Sequence, residues 1–317
     1  MKKIDLSLII PLFNEEASLP SLTNQLEQVL APLSLSYEII LIDDGSLDRT
    51  YEVVTSLAAR NPRIRGLRFS RNFGKEAAML AGLEHAMGSG VVIMDGDGQH
   101  PPELLPELLA PWQQGKADIV VACKANRSTD SLFSQLAAWL FNRLMHSLTG
   151  IDLTGGSDYR LLDRRVVDAV ITMQERIRFF RGMSTWVGFR EVRVPFTVKE
   201  RLAGKSNWST RQLAGLAISA ITAYTAKPLS WVLGLGGIGL FLSLILLIQA
   251  LVSRFFGTAV SGWTSLTVLV LFFGSANLMA AGLVGIYLAR VFDEVKNRPV
   301  YIVQEETGTD KTEGMIQ

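Results

Sequence analysis

The chain has 317 residues, 48% of them apolar and 19% charged, with a formal net charge of +1. That balance excludes a disordered charged tail and argues against a general nucleic-acid binder. Its one cysteine, Cys123, excludes a disulfide framework and a cysteine-based metal site.

The first 125 residues alternate strand and helix patterns. Leu6–Pro11 reads as a strand, followed by a helix from about Glu16 to Leu30. Tyr37–Asp43 is a second strand, with a helix over Asp48–Arg60. Arg65–Phe69 is a third, then a helix over Lys75–Met87. Val91–Met94 is a fourth, with a helix over Pro102–Gly115, and Asp118–Ala122 is a fifth. This rhythm predicts an α/β fold, a mostly parallel sheet with helices on both faces. Ligands of such sheets bind at the carboxyl ends of the strands.

Three of those ends are acidic. Pro11-Leu-Phe-Asn14-Glu15 follows the first strand, Asp43-Asp44-Gly45-Ser46 the second, and Asp95-Gly-Asp97-Gly-Gln99-His100 the fourth. A dinucleotide site would place a glycine-rich amide cradle after strand one. An acidic crevice accepts a diphosphate only with a divalent cation between them. Asp95 and Asp97, two hard carboxylates just past a strand end, suit Mg2+ or Mn2+ shared with phosphate oxygens. An isolated Asp-x-Asp is ordinarily a solvated turn; its strand placement and the two other acidic ends outweigh that reading. His85 and His146 fall in helix patterns, and His100 reads as a loop residue.

After Ala122 come a helix over Asp130–Leu148 and a Gly-Gly-Ser-Asp loop carrying Asp158. Ser209–Ala226 mixes apolar and polar residues and reads as a helix lying in a membrane interface. From Pro228 to Ala289, 62 residues hold a single charge, Arg254. A spanning helix needs about 20 apolar residues, so two are expected, near Leu229–Val252 and Ser265–Ala289, with a turn near Gly257–Gly262. Gly234-Leu-Gly236-Gly-Ile-Gly239 lies within the first and reads as small residues for close helix packing. Lys227, Arg290, Lys296 and Arg298 flank the pair, which predicts cytoplasmic ends. No signal-peptide pattern follows Met1-Lys-Lys. The expected organisation is a cytoplasmic domain over 1–208, an interface helix over 209–227, two spanning helices over 228–290 and a cytoplasmic tail over 291–317.

Ile9-Ile-Pro11-Leu-Phe-Asn14-Glu15, Ile42-Asp-Asp44-Gly-Ser46 and Asp95-Gly-Asp97-Gly-Gln99-His100-Pro-Pro102 resemble family 2 glycosyltransferases of the GT-A fold, above all the polyprenyl-phosphate glycosyltransferases. The resemblance continues through Ser157–Asp163, Arg178–Gly182, Arg201-x-x-Gly204-x-Ser206, the spanning helices and Arg298-Pro-x-Tyr301. It implies inverting transfer of a sugar from a nucleotide diphosphate sugar, UDP-glucose first, to the phosphate of a polyprenyl lipid such as undecaprenyl phosphate. It implies that Asp44, with Asp43 beside it, meets the base and ribose. Pro11, Asn14 and Glu15 would wall the nucleotide pocket, Asp95 and Asp97 would hold Mg2+ or Mn2+, and Gln99 would lie near the metal or sugar. Asp158 is then a general base or a group that positions the acceptor. Arg127, Arg201 and Lys205 are candidates for the acceptor phosphate and the diphosphate; Lys205 stands in for a lysine that the family carries where this chain has Asn207. Arg160, Arg178 and Arg181 read equally as structural. The resemblance also implies a bacterial inner-membrane protein and a homo-oligomer, a tetramer in the bacterial branch. A processive polysaccharide synthase and an inactive membrane scaffold are the rival readings.

Overall fold

The structure, a computed structural model, describes residues 4–124, 143, 156–173, 175, 178–196, 263–296 and 298–308, and eight positions between 232 and 252. The chain divides into two compact units, Met1–Ser209 with Arg298–Gln317, and Thr210–Asn297.

The first unit is built on an eight-stranded sheet. Its elements run β1 (Leu6–Leu12), α1 (Leu19–Leu30), β2 (Tyr37–Asp43), α2 (Thr50–Arg60), β3 (Ile64–Phe69), α3 (Lys75–His85), β4 (Gly90–Ile93), α4 (Leu105–Gln113) and β5 (Ile119–Lys124). There follow β6 (Gly156–Asp163), α5 (Arg164–Thr172), α6 (Phe180–Trp186) and β7 (Glu191–Phe196). The last, β8 (Val303–Thr307), comes after the helical unit.

The strands lie in the order β7-β5-β6-β4-β1-β2-β3-β8. β4, β1, β2 and β3 are mutually parallel, so their carboxyl ends open on one edge. Every residue of β2 is buried, as expected of a central strand covered on both faces. Leu6, Leu8, Ile10 and Leu12 pack with residues of α1, α2 and α4. Gly82 of α3 sits against Ile9, on the opposite face.

α1 starts at Leu19 rather than near Glu16. The amides of Glu15 and Glu16 are spent on the Thr50 hydroxyl at 2.8 Å and the Asp48 carboxylate at 3.3 Å, and Pro20 sits at the helix start, where its missing N–H costs nothing. α3 ends at His85 because Ala86 is extended and the Met87 amide donates to Glu38 at 2.8 Å.

Two expectations are corrected here. Asp158 lies in no loop: it is the third residue of β6, which runs antiparallel between β4 and β5. The segment from 291 is more than a tail. The long helix continues to Val295, and β8 pairs antiparallel with β3, matching Gly66 to Thr307 and Arg68 to Glu305. The edge of β3 supplies unpaired backbone groups that a strand satisfies. Tyr301 fastens the join: its ring stacks on Phe69 at 5.0 Å and its hydroxyl donates to Glu84.

In the second unit α7 (Trp263–Val295) has 33 residues, about 50 Å of helix. Among the described residues it is the one helix long and apolar enough to cross a membrane, over Phe272–Ala289 at mean hydropathy 1.6. Its large apolar side chains, including Phe272, Leu278 and Met279, are exposed, as lipid-facing residues are. Val232, Gly236, Ile238, Gly239, Phe241, Ile245, Ile248 and Val252 are helical. The rest of the first expected spanning helix, the interface helix over 209–227 and the 257–262 turn lie outside the described residues.

Tyr301→Ala is expected to destabilise the sheet-bearing unit by about 2–3 kcal/mol, through loss of a half-buried ring. Tyr301→Phe, which loses only the hydrogen bond, should cost about 1 kcal/mol. Thermal melts of the full chain in detergent read the difference; equal losses in the two variants would contradict the stacking account.

Candidate active site

The carboxyl ends of β1 and β2 are stitched by their own side chains. Asn14 takes a positive φ of 58°, which Asn tolerates better than most residues. Its amide donates to the Ser46 hydroxyl at 2.9 Å, and its side-chain oxygen accepts from the Leu47 amide at 2.9 Å. Glu15 accepts from the Ser18 hydroxyl at 2.5 Å. Pro11 lies within β1, opposite Ile42. Asn14 and Glu15 thus set the loop that follows β1 against the loop that follows β2.

Asp43 and Asp44 divide the work at the end of β2. Asp44 accepts from the Phe73 amide at 2.7 Å and the Gly74 amide at 2.9 Å. Burial raises its pKa, against those two hydrogen bonds. It anchors the loop that leads into α3. Asp43 accepts from the Ser46 amide through Oδ1 at 3.0 Å. Its buried Oδ2 has no hydrogen-bond partner, with Arg68 Nε at 3.6 Å. Gly45, at φ 66°, closes the turn: a Cβ there would meet the Arg71 carbonyl carbon at 2.4 Å.

α3 begins immediately after this anchored loop, with Lys75 and Glu76. The Lys75 ammonium lies 2.5 Å from Asp95 Oδ1 and 2.6 Å from Asp158 Oδ2. The register explains the meeting. Ile93 of β4 pairs with Arg160 of antiparallel β6, so Asp95, two residues after Ile93, comes opposite Asp158, two residues before Arg160. Arg181, at the start of α6, donates to both oxygens of Asp158, at 2.6 and 3.1 Å. Glu76 accepts from the Phe180 amide at 2.8 Å and so holds the first turn of α6, and with it Arg181.

The charges follow from these contacts. Burial opposes the charge on Asp158, but Lys75 and Arg181 outweigh it and hold the carboxyl far below its usual range. Burial likewise opposes the Lys75 charge, and Asp158 and Asp95 reverse it and raise its pKa. Glu76 has no cation of its own. Burial, with Asp158 nearby, pushes it up to about 7.

At the end of β4, Asp97 accepts from the Gln99 amide at 3.0 Å across a turn in which Gly98 has φ 74°. The Asp95 amide donates to His100 Nδ1 at 3.0 Å. His100 is buried, stacked on Tyr159 at 4.9 Å, and burial lowers its pKa. It is therefore neutral with the proton on Nε2, a tautomer assigned from that hydrogen bond. Its role is to fix the Asp95 backbone, more than the loop position read from sequence.

Asp95 and Asp97 offer the hard oxygen donors that Mg2+ and Mn2+ take. Asp95 Oδ1 is buried and makes no hydrogen bond; its contact is the Lys75 ammonium. Among the described residues no cluster of three His, Cys, Asp or Glu side chains could hold a metal. Two protein ligands fit a cation that takes its remaining ligands from a diphosphate.

Lys75 thus brings Asp95 and Asp158 together through short contacts and Asp44 anchors the loop before it, while Arg127, Arg201 and Lys205 lie outside the described residues. Lys75 and Glu76 were not singled out from sequence. A signal for Lys75 exists: the loop after β3 carries Arg71 and Lys75 where the other strand ends carry acids. Of the undecided arginines, Arg160 is structural. It is buried and donates to the Ser157 carbonyl at 2.9 Å and the Ser184 hydroxyl at 2.5 Å.

Known proteins resemble this chain. The profile of "Glycosyl transferase family 2" matches residues 7–171. The chain is 38% identical over 312 residues to an uncharacterized glycosyltransferase of Synechocystis sp., covering 97% of each. It is 37% identical over 309 residues to the SfII prophage-derived bactoprenol glucosyl transferase of Shigella flexneri, covering 95% of this chain and 97% of that one. Glucosyl-3-phosphoglycerate synthase of Mycobacterium tuberculosis, solved with Mn2+, uridine diphosphate and phosphoglyceric acid, is similar in fold. Its TM-score is 0.50 at 19% identity, over 69% of this chain and 76% of that one.

Glu76 gives the site a pH signature. Between its ordinary pKa of 4.5 and about 7 it is ionised in the unfolded chain and protonated in the folded one. The folded state binds the extra proton there, so this residue's contribution to stability falls as pH rises through that window. Glu76→Gln keeps an acceptor for the Phe180 amide and removes the titration. Its melting temperature should lose that slope and exceed the wild type by about 2–4 °C at pH 8. Melts at pH 5–8 whose slopes run parallel in both proteins would contradict the assignment.

Proposed function

The chain belongs to glycosyl transferase family 2, and from that premise we propose that it moves glucose from UDP-glucose to the phosphate of undecaprenyl phosphate, with inversion at the sugar carbon. The observation that carries this reading is the acid pair Asp95 and Asp97 just past β4, with Asp95 facing Asp158 across Lys75. It is supported by the Shigella relative, whose name is that of a bactoprenol glucosyl transferase.

Each residue has a task in this scheme. The nucleotide lies against the ends of β1 and β2, where Pro11, Asn14 and Glu15 form the wall and Asp43 and Asp44 face base and ribose. Asp95 and Asp97 would hold Mg2+ or Mn2+, which neutralises charge growing on the departing diphosphate. Gln99 stands next to the sugar. Arg127, Arg201 and Lys205 supply fixed positive charge for the acceptor phosphate and the diphosphate, which repel one another. Asp158 orients the acceptor side. Two cations hold it far below its usual pKa, and a phosphate acceptor is already ionised, so no strong base is required.

The apolar α7 and the uncharged run before it anchor the enzyme in the bacterial inner membrane. In this reading two helices span the membrane, with the catalytic unit and both ends cytoplasmic. Gly234, Gly237, Gly282 and Gly285 allow close helix packing in a homo-oligomer, a tetramer in this reading.

The test is a panel of radiolabelled UDP-glucose, UDP-galactose, UDP-GlcNAc and GDP-mannose with undecaprenyl phosphate and the purified enzyme. Label should pass to the lipid phase from UDP-glucose, in a manner abolished by EDTA. Asp97→Asn should lower the rate by roughly 100-fold, equivalent to about 2.7 kcal/mol. No lipid-linked label from any donor, or full activity of Asp97→Asn in EDTA, would overturn the proposal.

A further inference from the structure

The residue that the scheme leaves without a task is Lys75. Its side chain is partly exposed, yet its ammonium is committed to two acids. It lies 2.5 Å from Asp95 Oδ1 and 2.6 Å from Asp158 Oδ2, on a helix start set by the two amide hydrogen bonds to Asp44. Asp95 Oδ1 is buried, and the group set against it is that ammonium. Asp95 is also one of the two carboxylates that would hold the divalent cation. A metal and an ammonium cannot share one carboxylate oxygen at such distances without strong like-charge repulsion.

We propose that Lys75 is a gate on the metal site: it occupies Asp95 in the donor-free enzyme and is displaced toward the donor's diphosphate when the nucleotide sugar and the metal enter together. This rests on the reading of Asp95 and Asp97 as the metal ligands. A divalent cation arriving alone must expel the ammonium from Asp95 and leave it with Asp158, a carboxylate that Arg181 already grips. A diphosphate arriving with the cation supplies that anion. Metal binding and donor binding are thereby coupled, and the donor-free enzyme does not hold a tight metal. Arg181 keeps Asp158 paired throughout, so the movement of Lys75 leaves Asp158 with a cation. Lys75 is in this sense a positioning residue, acting through Asp95.

The proposal makes an unusual sign prediction. Removal of a lysine from a merely structural ion pair weakens whatever the site binds. Removal of a competing cation tightens the metal. Mn2+ binding to the full-length protein in detergent, followed by its electron paramagnetic resonance signal, should be weak in the wild type and strengthened by UDP. In Lys75→Met and Lys75→Gln, Mn2+ alone should bind roughly tenfold more tightly, and UDP should add less, since couplings of this kind run to about 5–150-fold. Lys75→Arg keeps the charge and should remain near the wild type. Sugar transfer by the Met and Gln variants should fall even as their Mn2+ affinity rises.

Weaker or unchanged Mn2+ binding in both neutral variants, beside a wild type that binds Mn2+ with UDP, would overturn the gate and leave the metal site standing. Absence of Mn2+ binding in wild type and variants alike, with or without UDP, would overturn both. Melting temperatures identify a variant that has failed to fold; with two neutral side chains of different polarity, the one that folds is read.

Discussion

One ammonium between two carboxylates organises this site. Lys75 meets Asp95 from β4 and Asp158 from β6 within 2.6 Å, and each partner reaches it by a different structural route. The parallel strands bring β2 and β4 to a common edge. The antiparallel insertion of β6 turns Asp158 back to face Asp95. Asp44 sets the start of α3 through two backbone amides, and Glu76 sets the start of α6 through one. Were β6 to shift by one residue, its alternation would turn Asp158 to the other face and leave Lys75 with one carboxylate.

The same contacts decide what the acids can do. Buried carboxylates cost free energy unless paired and hydrogen-bonded. Here Arg181 grips both oxygens of Asp158 while Lys75 takes one of them. A carboxylate held this way keeps its charge but has little electron density to offer a sugar carbon. It is suited to orienting cationic or hydroxylic groups and poorly suited to forming a covalent sugar ester. Glu76, where burial and the nearby Asp158 outweigh the pull of Lys75 and Arg181, behaves in the opposite way and titrates near neutrality, at about 7.

Much of the fold was legible in the sequence because strand and helix periods alternate cleanly from Leu6 to Ala122, and because acids stand where β1, β2 and β4 end. The helix starts were less legible. At Glu15 and Glu16 the backbone amides bond to side chains over 30 residues away, which no local pattern reveals. Asp158 was misplaced for a similar reason: Gly156-Ser157 has loop composition, and β6 is made a strand by pairing with β5, where Gly156 meets Cys123, and with β4, more than 60 residues earlier. β8 is a polar edge strand, Val-Gln-Glu-Glu-Thr, with no apolar alternation to mark it. Lys75 went unnoticed because a lysine at a helix start is ordinarily solvated; only the tertiary contact of β4 with β6 gives it two anions.

These constraints converge on how the sugar moves. If Asp158 stays locked between Lys75 and Arg181, the acceptor phosphate must attack the sugar carbon itself, in one displacement. The direct measurement is the anomeric configuration of the lipid-linked product made from UDP-α-glucose, read by the carbon–phosphorus and proton couplings in its nuclear magnetic resonance spectrum. The account predicts a β-glucosyl phosphate. An α-glucosyl phosphate, formed with retention, would contradict it, since two displacements would require one of these paired carboxylates to bond covalently to the sugar.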